Sequence, residues 1–251
     1  MFSILEQNSR PSLDILNALQ EYDEFMESID TLVDLGCGDG ADIEWWATRV
    51  TREDVPKPLN IKCTGVDLID QLFAPRTHKN VSYLGTDFEQ LTTAVGNKKF
   101  DVLWCHDAFQ YCIDPIGTLI RWRDITNDGG MLAITVPTTI TTHHRQLAFT
   151  QQSGCYYHHT MISLIHMLAI TGWDCHGGFF LQKPNDSWIR AIVYKSEQES
   201  LDPKTANWHQ LRELNLLPES AAESVNAHNY LRQQDLVLPW LDHSLTWMGQ
   251  Q

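Results

Sequence analysis

No two of the six cysteines stand in a CxxC spacing; they are scattered along the chain at Cys37, Cys63, Cys105, Cys112, Cys155 and Cys175. That pattern excludes a zinc ribbon or a dithiol redox motif and points to reduced thiols rather than a disulfide framework. No window approaches the roughly 18 apolar residues needed to span a bilayer. The N-terminal MFSILEQNSR has neither the basic start nor the apolar stretch of a secretory leader. The expected location is therefore cytoplasmic, with no membrane partner. Positive charge is scarce as well: 18 Lys and Arg stand against 32 Asp and Glu, a formal net charge of −14. Long-range attraction to nucleic-acid phosphate or anionic lipid needs clustered cations, so the balance argues against a nucleic-acid partner. The densest basic stretch, Arg121 and Arg123 with His143, His144 and Arg145 further on, reads as solvated loop charge.

What is present is ordinary globular composition. With 43% hydrophobic and 20% charged residues, the 251-residue chain can bury one sizeable core and carry an appendage. Leu13, Ile15, Leu16 and Leu19 recur at helical spacing among polar residues, which predicts an amphipathic helix over 11–29. Short aliphatic and β-branched runs then alternate with helical periodicity. Strands are expected at Thr31–Leu35, Ile61–Asp67, Val81–Gly85, Phe100–His106 and Met131–Pro137, and two closing strands at Trp173–Leu181 and Trp188–Lys195. Helices are expected at Ala41–Val50, Phe88–Val95, Pro115–Thr126 and Thr160–Thr171. Repeated βαβ units give an open, mostly parallel sheet with helices on both faces, and the closing pair makes an antiparallel edge hairpin. From Ser196 onward amide and charged side chains dominate. The expected division is an N-terminal helical segment over 1–30, an α/β domain over 31–195 and an accessory helical tail over 196–251, open to packing or homodimer contacts.

The central signal is Val33-Asp34-Leu35-Gly36-Cys37-Gly38-Asp39-Gly40 between a strand and a helix. In an open α/β sheet ligands bind at the carboxyl ends of strands, and glycines there let the backbone approach a ligand closely. Gly36, Gly38 and Ala41 also satisfy the looser dinucleotide fingerprint, so this turn alone leaves a nicotinamide or flavin cofactor open. Asp34 would repel a pyrophosphate. A second strand ends in Gly65-Val66-Asp67-Leu68, and its carboxylate can accept two hydrogen bonds from a ribose diol in either cofactor class.

The turn resembles the first motif of class I S-adenosylmethionine-dependent methyltransferases, hydrophobic-Asp-hydrophobic-Gly-x-Gly-x-Gly, at every position. The resemblance implies a Rossmann-like α/β fold and S-adenosyl-L-methionine as cofactor. Asp34, Gly36, Cys37 and Gly38 would lie at its methionine end, with Asp67 and Leu68 at its ribose. Thr86-Asp87-Phe88 matches the family's adenine position, which assigns Asp87 to the exocyclic amine and Phe88 to the ring. Trp104-Cys105-His106-Asp107, followed by Asp114-Pro115, resembles the stretch after strand four in the small-molecule branch; Cys105 would border the cofactor and His106 the acceptor. The resemblance covers about residues 30–195 and is specific to the superfamily, not to a substrate.

Methyl transfer needs alignment, desolvation and in some cases a base, because the sulfonium is already activated. His106 is the candidate catalytic residue for positioning the acceptor or taking its proton. The ring-rich region of Thr138–Thr142, His143, His144, Tyr156, Tyr157, His158 and His159 is where the acceptor pocket is expected. Its spacing carries no metal-ligand pattern, so no metal is expected. The absence of an Asn/Asp-Pro-Pro-Tyr/Phe tetrapeptide and the acidic charge favour a small-molecule acceptor. Two other classes remain: a nicotinamide-dependent oxidoreductase, and a methyltransferase-fold module that binds or assembles without turnover.

Overall fold

The computed structural model describes residues 12–19, 23–51, 55–68, 78–138, 156–157, 159–182, 188–202, 204–206 and 208–214. Most of the ring-rich stretch (139–155 and 158), Cys155 and the tail beyond 214 lie outside the described residues. Among the described residues seven strands, β1 (Thr31–Leu35), β2 (Lys62–Asp67), β3 (Val81–Gly85), β4 (Phe100–His106), β5 (Thr126–Pro137), β6 (Trp173–Leu181) and β7 (Trp188–Lys195), form one sheet in the order β3-β2-β1-β4-β5-β7-β6. β7 runs antiparallel to both β5 and β6, and the remaining pairings are parallel. The expected antiparallel edge hairpin thus exists, with β7 paired to β5 and β6 outermost. Strand order reverses between β1 and β4, which opens a crevice at their carboxyl ends.

Among the described residues seven helices pack on this sheet: α1 (Ser12–Leu19), α2 (Asp23–Glu27), α3 (Ala41–Ala47), α4 (Leu91–Val95), α5 (Pro115–Asp124), α6 (Met161–Ile170) and α7 (Trp208–Glu213). Side chains alternate across a strand, so each strand feeds both faces. Leu32, Val102, Trp104 and Met131 join Ile15 and Leu16 of α1 and Ile43 and Trp46 of α3 in one cluster. Val33, Leu35, Leu103 and Leu132 join Leu91 of α4, Leu119 and Trp122 of α5 and Leu164 and Leu168 of α6 in the other. Each such fully buried side chain contributes about 1.5–3 kcal/mol, and these two clusters hold the helices on opposite faces. Among the described residues no helix is long and apolar enough to cross a membrane.

Four boundaries differ from the sequence pattern by more than two residues. The periodicity over 11–29 divides into α1 and α2 rather than one helix. α3 ends at Ala47, where the Thr48 hydroxyl and amide both donate to Glu44 O, at 2.8 and 3.1 Å, and close the last turn. The helical crossing after β3 is a 3-10 turn, Phe88–Gln90, followed by the short α4. The Asn-Asp-Gly-Gly run does not separate α5 from β5; it lies within β5, which starts at Thr126 and shifts register against Phe100 and Val102. Lys195 Nζ donates to Thr126 O at 2.9 Å and Asn127 Nδ2 to Asp101 at 2.6 Å, which fasten this bulged start to β7 and β4. α6 follows its pattern closely: Thr160 and Ser163 form a reciprocal capping box at its N-terminus.

Candidate cofactor and acceptor site

The turn after β1 is built from backbone that side chains rarely adopt. Gly36 and Gly38 have φ of 80° and 51°, and the Gly36 and Cys37 amides donate to Val66 O at 2.8 and 3.0 Å, folding the turn over the end of β2. A Cβ on Gly36 would collide with the Cβ of Ala108, just after β4, whereas a Cβ on Gly38 would stand in open space. Gly36 is needed for close packing at the switch point, and Gly38 leaves a cradle above the turn.

Asp67 ends β2 beside this cradle. Its Oδ2 accepts from the Gly38 amide at 2.9 Å and its Oδ1 from the Leu68 amide at 2.7 Å. A carboxylate offers about four lone-pair positions, so two remain for a ligand diol. The Leu68 side chain is exposed, and its described contribution is that amide. Asp34 is 2% exposed and pairs in register with Gly65 on one side and Trp104 on the other. Burial first, and then the Asp34 charge, raises the thiols of Cys37 and Cys105 well above their ordinary range and pushes Cys63 up to about 12. These cysteines are protonated packing groups. Two acids beside an open glycine turn form a donor-seeking, cation-favouring surface, a poor fit for a pyrophosphate and a good one for a ligand with an ammonium group, a sulfonium and a ribose diol.

Asp87 and Phe88 follow β3 as expected, but their side chains do different work from a simple ring clamp. Asp87 caps the 3-10 turn by accepting from the Glu89 amide at 2.8 Å. The Phe88 ring is buried edge-on against Trp122, centroids 5.9 Å apart, and Trp122 Nε1 donates to Phe88 O at 3.0 Å. Its ring belongs to the core. Glu89 links this turn to the segment after β4: burial would raise its pKa, but hydrogen bonds from the Ile113 and Asp114 amides and its side-chain partners outweigh burial and lower it.

At the end of β4, His106 turns toward α3. Its ring stacks on Trp188 with centroids 5.9 Å apart, and its Nδ1 lies 3.9 Å from Asp42 Oδ2. Asp42, in the first turn of α3, is a buried acid that the sequence pattern does not single out. Its Oδ1 accepts from Ser12 of α1 and its Oδ2 from Trp104 Nε1, both at 3.1 Å. The one available signal was an acid two residues beyond the last glycine of the turn. From the ring-rich segment, the Tyr156 and Tyr157 amides donate to Gln110 O at 3.0 and 3.2 Å, and His159 bridges to Thr138. His159 also stacks on Phe109. These contacts bring the described ends of that segment to the same rim as His106. Arg121 and Arg123, expected as solvated charge, are internal struts: Arg121 donates to Glu89 O, and Arg123 to the carbonyls of Gly172, Ser196 and Gln198.

Residues 33–132, which hold the turn, Asp67 and the β4 rim, match the family described as methyltransferase domain. Solved structures share the fold. An S-adenosylmethionine-dependent methyltransferase from Archaeoglobus fulgidus is 13% identical with a TM-score of 0.55, covering 76% of this chain and 96% of its own. The Burkholderia thailandensis 1,6-didemethyltoxoflavin-N1-methyltransferase, bound to 1,6-didemethyltoxoflavin and S-adenosylhomocysteine, is 16% identical with a TM-score of 0.54, covering 75% and 78%. A chain from the complex of the Haloferax volcanii Trm112 methyltransferase activator with a methyltransferase is 15% identical with a TM-score of 0.52, covering 76% and 95%. No curated protein sequence matches. The chain shares the Rossmann-like fold of these neighbours, and its residues 33–132 carry the methyltransferase-domain match.

Proposed function

We propose that the chain is an S-adenosyl-L-methionine-dependent methyltransferase acting on a small-molecule acceptor. The observation that carries the reading is the open cradle above Gly38 with Asp67 bonded to the Gly38 amide at the strand-order reversal. Asp67 would hold the ribose, the Gly36–Gly38 backbone would pass beneath the methionine portion, and Asp34 would favour its ammonium group. When bound, the cofactor supplies a methyl group already activated on a positive sulfur. The chain's own task is then to align the acceptor and exclude water. His106, oriented by Asp42 and Trp188 at the β4 rim, is the candidate for acceptor positioning.

A small acceptor is favoured by the net charge of −14, and the Burkholderia thailandensis neighbour with its small bound acceptor offers a parallel. Calorimetric titration of the full chain with S-adenosylhomocysteine, with NADH in parallel, tests the cofactor without the acceptor. Micromolar binding of S-adenosylhomocysteine alone is expected. Binding of NADH alone would overturn the reading in favour of an oxidoreductase, and binding of neither would favour a module that keeps the fold without the cofactor.

A further inference from the structure

We infer that Asp107 is the anionic group of the acceptor subsite, its carboxylate set to accept a hydrogen bond from the N–H or O–H of an amine or hydroxyl nucleophile. This rests on the cofactor reading above and adds to it a residue and an acceptor chemistry.

Asp107 is the first residue beyond β4 and has φ of 54°; among the described residues only Asn60 shares a positive φ without being glycine. Such backbone persists where its surroundings over-determine it, and it concentrates at ligand sites. Here the surroundings are visible. The Asp107 amide donates to Thr135 O of β5 at 3.0 Å, and its Oδ1 accepts from Gln110 Nε2 at 2.6 Å. Gln110 is 1% exposed, and among the described residues its Oε1 has no hydrogen-bond partner. A buried amide has therefore been given up to hold this one carboxylate.

Position supplies the rest. The next residue, Ala108, is the one pressed against Gly36, so Asp107 stands one residue from the cofactor turn at the reversal between β1 and β4. With the ribose assigned to Asp67 at the end of β2, the opposite end of the ligand crosses β1 toward β4. Asp107 is exposed as a residue, and its carboxyl is packed on one side against Gln110. That crowding, countered by the Gln110 bond, pushes its pKa up to about 6, which leaves it anionic at neutral pH. His106 beside it is turned to Asp42 and Trp188 on the α3 face, so the two neighbours present different groups to the rim.

Sinefungin probes this point directly, because it carries an amine on carbon where S-adenosylmethionine carries the methyl on sulfur, and S-adenosylhomocysteine carries nothing there. Titration calorimetry on the full chain should show sinefungin binding at least about tenfold tighter than S-adenosylhomocysteine, as a charge-assisted hydrogen bond to an ammonium group requires. Asp107→Asn should bring the two affinities together while S-adenosylhomocysteine binding stays within about twofold. Asn suits the left-handed backbone and can still accept from Gln110, so the variant keeps the local fold. Equal affinities in the unaltered protein, or a preference that survives Asp107→Asn, would overturn the assignment while leaving the cofactor reading intact. Failure of both ligands to bind the unaltered protein would overturn the cofactor reading and this inference with it.

Discussion

Asp67 Oδ2 lies 2.9 Å from the amide nitrogen of Gly38, so the end of β2 is tied to the turn after β1 by one charge-assisted hydrogen bond. The same carboxylate is the proposed ribose acceptor. Asp67→Ala removes both interactions. Each lost charge-assisted hydrogen bond is worth about 1.5–3 kcal/mol, so S-adenosylhomocysteine affinity should fall by at least about tenfold. Calorimetry checks this; unchanged affinity would remove Asp67 from the cofactor site.

Gly36 and Gly38 sit in one turn yet should fail differently when replaced. Gly36→Ala adds a left-handed alanine, roughly 1–2 kcal/mol, and a collision with Ala108 that costs a further ~1–3 kcal/mol. Gly38→Ala bears only the backbone term, because its new methyl enters open space. Thermal melts should therefore rank Gly36→Ala well below Gly38→Ala in stability. Ligand titration of the still-folded Gly38→Ala should show weakened S-adenosylhomocysteine binding, since the methyl fills the cradle.

The outline of this site was legible where a strand meets a turn of unusual composition. Strands β1, β3, β4, β6 and β7 have the bounds their residue patterns imply, and the glycines, Asp34 and Asp67 stand together at the crevice. What stayed hidden depends on tertiary partners. Asp42 looks like a surface acid in a helix's first turn until Trp104 and Ser12, 62 and 30 residues away in sequence, converge on it. Phe88 reads as a ring cover until Trp122 claims it for the core. The Asn-Asp-Gly-Gly run is a turn signal by composition, yet bonds from Lys195 and Asn127 keep the chain on the sheet. The positive φ at Asp107 is only weakly signalled by composition, since aspartate adopts that region more often than most residues but mostly does not.

Asp101 joins three strand starts, accepting from the Asp30 and Thr31 amides, the Thr31 hydroxyl and Asn127 Nδ2. Burial alone would raise its pKa, but these donors outweigh burial and lower it. A carboxylate whose folded pKa is depressed contributes stability above its unfolded value, about 3.9, and loses it as pH falls through the folded value. Asp101→Asn should therefore be less stable than the unaltered protein at neutral pH, by about 1–3 kcal/mol. Denaturant melts across pH should show that gap closing below about pH 4. A gap independent of pH would mean that the ionised carboxylate is not what these donors recognise.

Asp42 provides the sharpest test of how α1 is held against the site. Its two oxygens satisfy Ser12 and Trp104, so Asp42→Ala leaves a buried indole N–H and a buried hydroxyl without this acceptor, at about 1–3 kcal/mol for each. Ser12→Ala removes one partner only, and should cost less. Once Asp42 is gone the Ser12 hydroxyl has lost its reason to be there, so adding Ser12→Ala to Asp42→Ala should cost little more. Double-mutant denaturation measures that coupling, and the Trp104 environment should change in fluorescence with Asp42→Ala alone. Additive costs for the two substitutions would mean that α1 is held by its apolar face, Ile15 and Leu16 against Trp46, rather than by the carboxylate beneath it.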